Sequence, residues 1–273
     1  MHLTLGFSPC PNDTYIFDAL VHNKIDTHGY TFAYHLHDVE SLNLQAQANT
    51  YHITKLSFAA AALLQQQYAL LPSGAALGKG VGPLLVSNVP HISNDYDNAI
   101  AQLQQFQVAI PGMYTTAHFL LKYYATCKLH SVVMPFHVIQ DWVLQAPHGS
   151  TRLGVLIHEN RFTYHQHGLH LVQDLGSYWE SLTQLPIPLG GIFIQNALPM
   201  HVRQDIGVLI QQSILYANAN YTTTLPTFVT KHAQEMATSV QWQHIKLYVN
   251  EHSITLNNEA MQAIDMLYSL MQA

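Results

Sequence analysis

The sequence is poor in charged residues. It contains 10 Lys and Arg and 16 Asp and Glu among 273 residues, so charged side chains make up 10% of the chain, where about 25% is usual for globular domains. No cluster of Lys or Arg occurs along it. Because binding to a phosphate backbone depends on such clusters, we expect no nucleic acid among the partners.

The sequence also lacks a long apolar segment. The longest uninterrupted run is 58–64, whereas a membrane-spanning helix needs about 20 residues, so we expect no membrane partner. The first residues have neither the basic segment nor the apolar stretch of a secretory signal. The two cysteines, Cys10 and Cys127, are far apart and have no C-x-x-C spacing, as expected in a reducing compartment. We therefore predict a cytoplasmic protein.

Histidine, in contrast, is abundant, with 19 residues. The densest groups are 165–170, which we interpret as a surface loop, and 35–38. An H-E-x-x-H zinc motif starting at His158 would need a histidine where Phe162 stands. We predict no metal ion in the functional site. Whether the histidine-rich segment 165–170 binds a metal is not fixed by the sequence.

The glycine-rich segment 73–83 does not match a nucleotide-binding motif. A phosphate-binding P-loop needs four residues between its glycines and Ser or Thr after the lysine. Here Gly74 and Gly78 enclose three residues, and Gly80 follows Lys79. We therefore expect no cofactor and interpret the segment as a hinge or a binding loop.

Segments of strand and helix character alternate along the chain, which favours an α/β fold. We predict strands at 2–7, 30–36, 53–56, 84–86, 106–110, 132–134, 153–158 and 189–194, and helices at 39–48, 57–67, 115–125 and 140–145. The glycine-marked segments 73–83 and 189–194 bracket a central α/β part. We predict a two-domain clamp with a ligand cleft between the domains, formed by 1–85 with 192–273 and by the inserted 86–191.

Two predicted helix starts carry the groups that would bind an anion or a sugar. Ser57 begins one helix, beside Lys55, and Thr115-Thr116 begins another. Free N–H groups and hydroxyls at helix starts suit carboxylates and hydroxyl oxygens. Ordinary helix capping explains the same residues, and it predicts Asn12 or Asp13 as the N-cap of the first helix.

His158 ends an otherwise apolar predicted strand. The carboxyl edge of such a strand faces the usual ligand crevice of α/β sheets. A histidine there serves either as a general base near neutral pH or as a structural residue. Arg161 follows and either holds a substrate anion or pairs with an acid.

Several strings resemble the 1,4-dihydroxy-6-naphthoate synthases of the futalosine route to menaquinone. They are Gly6-Phe7-Ser8-Pro9-Cys10-Pro11-Asn12-Asp13-Thr14, Ile53-Thr54-Lys55-Leu56-Ser57, Ala76-Leu77-Gly78-Lys79-Gly80-Val81-Gly82-Pro83, Pro111-Gly112 with Thr115-Thr116-Ala117, and Ile157-His158-Glu159 with Arg161-Phe162-Thr163-Tyr164. The chain departs from the family pattern at Tyr15, Tyr114 and Asn160.

The resemblance implies a fold like that of type II periplasmic binding proteins and cleavage of cyclic dehypoxanthine futalosine to 1,4-dihydroxy-6-naphthoate. It implies no cofactor. It makes His158 the proton acceptor and makes Lys55, Leu56, Ser57, Thr115 and Thr116 ligand contacts. Asn12 and Arg161 complete the set of expected substrate-binding residues.

Two alternatives remain at this stage. A non-catalytic binding protein for a small aromatic carboxylate would use the same fold and cleft. The chorismate dehydratase of the same pathway is also clamp-like, although the quoted strings favour the naphthoate synthase. The oligomeric state, including a homodimer, is not fixed by the sequence.

Overall fold

The computed structural model describes residues 1–90, 102–233 and 237–272. The chain forms two compact units, Met1–Gly78 with Pro188–Ala273, and Lys79–Ile187. Each has its own sheet, and strands and helices alternate, which confirms the α/β class. Across the described ranges, no helix is both long and apolar enough to cross a membrane.

The elements are numbered in chain order. The described strands are β1 (His2–Phe7), β2 (Thr31–Leu36), β3 (Ile53–Ser57), β4 (Tyr68–Leu70), β5 (Ala76–Gly78), β6 (Leu84–Ser87), β7 (Gln107–Ile110), β8 (His130–Val133), β9 (Arg152–Leu156), β10 (His170–Asp174) and β11 (Ile187–Gln195). The described helices are α1 (Pro11–Val21), α2 (Val39–Gln47), α3 (Phe58–Leu63), α4 (Thr116–Ala125), α5 (Phe136–Leu144), α6 (Asn160–Thr163), α7 (Leu175–Thr183), α8 (Met200–Asn220), α9 (Thr227–His232), α10 (Thr238–Tyr248), α11 (Glu251–Ile254) and α12 (Asn258–Gln272). A 3₁₀ turn spans Tyr164–His167.

The sheet of the first unit has the order β2-β1-β3-β11-β4, and β5 pairs with β11. Strand β1 runs parallel to β2 and β3, whereas β11 runs antiparallel to β3 and β4. Gly6 of β1 pairs with Thr54 of β3, so Lys55 and Ser57 lie at the carboxyl end of β3. The carboxyl ends of parallel strands are where α/β sheets commonly bind ligands.

Helices α1 and α8 cover this sheet. The first core contains Leu3 and Leu5 of β1 together with Ile206 and Ile210 of α8, all fully buried. The Ser213 hydroxyl of α8 donates to the Ile16 carbonyl of α1 at 2.6 Å. The spacing of the buried residues in α8 follows the helical period, which is why one face of this long helix is apolar.

The second unit has the sheet order β10-β6-β9-β7-β8. Strand β7 runs parallel to β8 and β9, and β6 runs antiparallel to β9 and β10. The expected domain boundary at 85/86 falls inside β6, which is hydrogen-bonded to β9 on one side and to β10 on the other. Helix α5 packs on β9, where Gly154 leaves room for Ile139 and Val143.

Several elements differ from the sequence prediction. The helix expected at 57–67 ends at Leu63, because the chain then returns to pair as β4 and the Asn196 amide binds the Gln65 and Gln66 carbonyls. Strand β9 ends at Leu156, two residues before His158. The strands β4 and β5 escaped prediction because both are short and form by pairing with β11. The predicted loop 165–170 ends in β10.

Candidate functional site

Helix α1 begins directly after the turn that follows β1. Pro11 is its first residue and Cys10 is the N-cap, with no side-chain cap. The prediction that Asn12 or Asp13 caps this helix is therefore wrong. Proline is favoured at the first helical position because its φ is already helical and its missing N–H would have no partner there. Asn12 and Asp13 consequently lie in the first turn, where both are buried.

A buried ion pair joins α1 to β3. The Lys55 Nζ lies 2.9 Å from Asp13 Oδ1, and the two side chains are 7% and 2% exposed. Lys55 Nζ also donates to the Gly74 carbonyl at 3.1 Å, and Asp13 Oδ2 accepts from the Ser8 hydroxyl at 2.7 Å. An ammonium has three donors, and the described ranges contain no acceptor for the third N–H of Lys55.

Asn12 connects the ion pair to a buried histidine. Its Nδ2 donates to Asp13 Oδ1 at 2.9 Å, which turns its Oδ1 toward His244. His244 Nε2 lies 2.9 Å from that oxygen, so Nε2 carries the proton in this pair. Both ends of the Asn12 amide are thus bonded to protein groups, and Asn12 holds Asp13 in place.

Ser57 is the last residue of β3 and the N-cap of α3, but its side chain does not cap the helix. Its contacts are with Asn43 of α2, which is fully buried. The Ser57 N–H donates to Asn43 Oδ1 at 3.0 Å, and Asn43 Nδ2 donates to Ser57 Oγ at 3.2 Å. The preceding residue, Leu56, is also fully buried and pairs with Gly191 of β11.

In the second unit, Thr115 is the N-cap of α4. Its hydroxyl accepts from the His118 N–H at 3.2 Å and donates to the Gly112 carbonyl at 2.9 Å. The capping explanation therefore accounts for the Thr115 side chain. The His118 ring holds the same loop, because its Nδ1 lies 2.9 Å from the Met113 carbonyl. Burial lowers the pKa of His118, and Thr116 beside it is buried.

His158 lies in the turn between β9 and α6 with a positive φ of 55°. The other described non-glycine residues with positive φ lie at the carboxyl ends of helices or in a tight turn with glycine: Asn23, His28, Asn49, Thr126 and Gln184. Few non-glycine residues adopt this left-handed conformation, and such residues concentrate at functional sites. The half-buried His158 ring packs edge-on against Phe136, with ring centres 4.7 Å apart.

Arg161 pairs with an acid within the same unit, which was one of its two sequence interpretations. Its Nη2 lies 3.6 Å from Asp174 Oδ2, and its Nη1 donates to the Gly82 carbonyl. Asp174 also caps α7 through the N–H groups of Gly176 and Ser177. The guanidinium therefore fixes the segment after His158 against the loop before β6 and the end of β10. Glu159, next to His158, is fully buried.

Sequence reasoning missed several of these partners. The pairing of Asp13 with Lys55 and that of Asn12 with His244 join residues distant in sequence, so local spacing gave no signal. Asn43 was detectable, because it is an amide on the buried face of α2 between Leu42 and Ala46. Among residues 1–90, 102–233 and 237–272, no three His, Cys, Asp or Glu side chains form a group that could hold a metal ion.

Comparison with known proteins identifies the family. A family model described as menaquinone biosynthesis matches residues 3–273. The chain belongs to the menaquinone biosynthesis family. It is 39% identical over 272 residues to the 1,4-dihydroxy-6-naphthoate synthase of Thermus thermophilus, covering 99% of this chain and 94% of that protein. It is 36% identical over 270 residues to the Streptomyces coelicolor synthase, covering 96% and 90%. This member of the family is therefore an enzyme of menaquinone biosynthesis.

Solved structures agree on the fold of this family member. Protein AF1704 from Archaeoglobus fulgidus superimposes with a TM-score of 0.89 at 29% identity, covering 99% of this chain and 97% of that one. The periplasmic aliphatic sulphonate binding protein SsuA from Escherichia coli gives 0.64 at 12% identity, covering 100% and 88%. The Candida albicans CA3427 product, described as having the generic periplasmic binding protein fold, gives 0.66 at 12% identity, covering 100% and 90%. The predicted periplasmic-binding-protein-like fold is confirmed.

Proposed function

We propose that the enzyme cleaves cyclic dehypoxanthine futalosine to 1,4-dihydroxy-6-naphthoate, with His158 as the general base. The identity to two naphthoate synthases over nearly the whole chain supports the reaction. The observation that carries the choice of base is the left-handed backbone of His158 beside Phe136. Backbone strain at a histidine that does not terminate the carboxyl end of a helix supports a positioned catalytic group.

In the proposed reaction, His158 removes a hydroxyl proton from the sugar-derived part of the substrate. The O–H electron pair forms a carbonyl as the neighbouring carbon–carbon bond breaks, and the pair from that bond passes into the adjacent ring ketone as an enolate. The enolate oxygen takes up a proton to become a hydroxyl of the aromatic product. Aromatisation of that ring drives the cleavage. No metal ion or other cofactor takes part in this scheme.

Lys55 and Ser57 are the proposed contacts in the first unit. Both lie at the carboxyl end of β3, on one face of the strand because side chains alternate. The charge of Lys55 is balanced by Asp13, so its remaining N–H is suited to an uncharged oxygen of the substrate. Leu56 contributes a backbone contact, since its side chain is fully buried.

In the second unit the proposed contacts are Thr115 and Thr116 at the start of α4. The Thr115 hydroxyl shapes this helix start, since it is bonded to Gly112 and His118. The positive end of a helix favours an anionic oxygen such as the carboxylate of the substrate. Asn12 and Arg161 act by holding their neighbours, as their polar atoms have protein partners.

The test is to mix the purified enzyme with cyclic dehypoxanthine futalosine and to follow dihydroxynaphthoate by absorbance and mass spectrometry, with no metal or nucleotide added. We expect product with the wild type and with His170→Ala, a control variant at another half-buried histidine of the second unit. Binding of the substrate without product would instead favour the alternative, a binding protein for a small aromatic carboxylate.

A cytoplasmic location stays a prediction.

A further inference from the structure

The amide of Asn43 determines which hydrogen bonds the Ser57 hydroxyl can make. The Ser57 N–H is a donor, so the Asn43 atom facing it at 3.0 Å must be the oxygen. Nδ2 is then the Asn43 atom that faces Ser57 Oγ, at 3.2 Å. Because Nδ2 can only donate, the hydroxyl oxygen of Ser57 must accept from it.

The Asn43 amide is itself held in this orientation. It is fully buried on α2. Its Nδ2 also donates to Glu40 Oε2 at 3.3 Å, and a carboxylate oxygen accepts hydrogen bonds but does not donate them. Flipping the amide would turn its oxygen toward a carboxylate and its NH₂ toward the Ser57 N–H. Both contacts would then be lost, so the observed orientation is strongly preferred.

The proton of the Ser57 hydroxyl remains available for another partner. Ser57 stands at a helix N-cap but does not cap α3, and its Oγ already accepts from Asn43. The described residues provide no acceptor for its O–H. A buried hydroxyl is expected to have such a partner, and Ser57 lies at the carboxyl end of β3, next to Lys55 with its own unused N–H.

We propose that Asn43 is a positioning residue that holds the Ser57 hydroxyl as a hydrogen-bond donor to a hydroxyl or carbonyl oxygen of the substrate. The inference rests on the proposed function and adds a residue that acts only through Ser57. The Asn43→Asp variant distinguishes this role from a purely structural one. Aspartate keeps an oxygen for the Ser57 N–H, but its second oxygen accepts from the Ser57 hydroxyl and withdraws that proton from the substrate. That oxygen also faces Glu40 in place of the Asn43 donor, so the stability of the variant is measured beside its activity.

The experiment is a double-mutant cycle measured as kcat and KM on cyclic dehypoxanthine futalosine, with Asn43→Asp, Ser57→Ala and the double variant. Losing one neutral hydrogen bond should lower kcat/KM by about tenfold, chiefly through KM. We expect each single variant to show this loss and the double variant to be no worse than Ser57→Ala. Ser57→Thr keeps the hydroxyl and should stay within about threefold of the wild type.

Multiplicative losses in the double variant, or wild-type kcat/KM for Asn43→Asp, would overturn the role of Asn43 while leaving the proposed function intact. A wild-type enzyme that makes no product would overturn the proposed function, and this inference with it. Thermal unfolding of each variant separates a folding defect from a site effect. If Asn43→Asp does not fold, the neutral Asn43→Leu variant completes the same cycle.

Discussion

The ammonium of Lys55 lies 2.9 Å from Asp13 Oδ1, and both side chains are almost completely buried. Asp13 comes from the first turn of α1 and Lys55 from β3, so the pair joins two elements at the carboxyl end of the parallel strands. Two charges can be buried together here because each also has neutral hydrogen-bonding partners, the Ser8 hydroxyl and the Gly74 carbonyl.

Breaking this pair from one side should destabilise the fold severely. Asp13→Asn leaves the Lys55 charge buried without its counterion, and the expected loss is about 3–5 kcal/mol of unfolding free energy. Urea unfolding monitored by circular dichroism measures it. The double variant Asp13→Asn with Lys55→Met removes both charges and should recover part of this loss. Equal stability of Asp13→Asn and the wild type would show that the pair contributes little.

Thr115 should contribute to stability as a helix cap. Thr115→Val removes the hydroxyl that accepts from the His118 N–H and donates to the Gly112 carbonyl, and the expected cost is about 1 kcal/mol. Thr115→Ser keeps the hydroxyl and serves as the control. Chemical denaturation of both variants gives the comparison, and a Thr115→Val protein as stable as Thr115→Ser would refute the capping role.

The stability of the protein should fall in mild acid, in part because of His118. Burial lowers the pKa of this side chain below its ordinary value of 6.5, so the unfolded chain binds a proton at His118 more readily than the folded chain does. The stability from this residue is therefore complete above pH 6.5 and declines as the pH falls below that value.

Thermal unfolding measured between pH 7 and pH 5 tests this prediction. His118→Asn keeps a donor for the Met113 carbonyl but does not titrate, so its midpoint should fall less over the same range than that of the wild type. All other residues are the same in both proteins, so their contributions cancel from the comparison. Parallel curves for the two proteins would argue against a contribution from His118.

The positive φ of His158 gives a prediction about stability that is separate from catalysis. Glycine and asparagine tolerate the left-handed region better than alanine. His158→Ala should therefore be less stable than His158→Gly by about 0.5–1 kcal/mol, the reverse of the usual order within helices. Denaturant unfolding of the two variants measures the difference. A more stable alanine variant would mean that the backbone relaxes away from this conformation.

The parts of the fold that could be predicted from the sequence are local. Alternation of apolar residues gave β1 and β7, and helical periodicity gave α2 and α4, because each pattern depends on near neighbours. Strands β4 and β5 have three residues each and exist because β11 pairs with them. Nothing in so short a segment distinguishes it from a loop.

The same distinction applies to the site. His158, Lys55 and Ser57 were proposed from a strand end, a helix start and the family resemblance. The N-cap of α1 was predicted at Asn12 or Asp13 because the preference of these residue types for caps was weighed without the preference of Pro11 for the first helical position. The partners of these residues, such as Asn43 for Ser57, are set by how α2 packs on β3, which sequence spacing does not contain.

The central claim is that His158 is the base of a carbon–carbon bond cleavage, and turnover of cyclic dehypoxanthine futalosine by His158→Asn tests it most directly. Asparagine tolerates the backbone conformation at this position but cannot accept the proton. We predict formation of 1,4-dihydroxy-6-naphthoate by the wild type and a rate lower by about 10²–10⁴-fold for His158→Asn at unchanged thermal stability. Near-wild-type turnover by the folded His158→Asn variant would contradict the assignment.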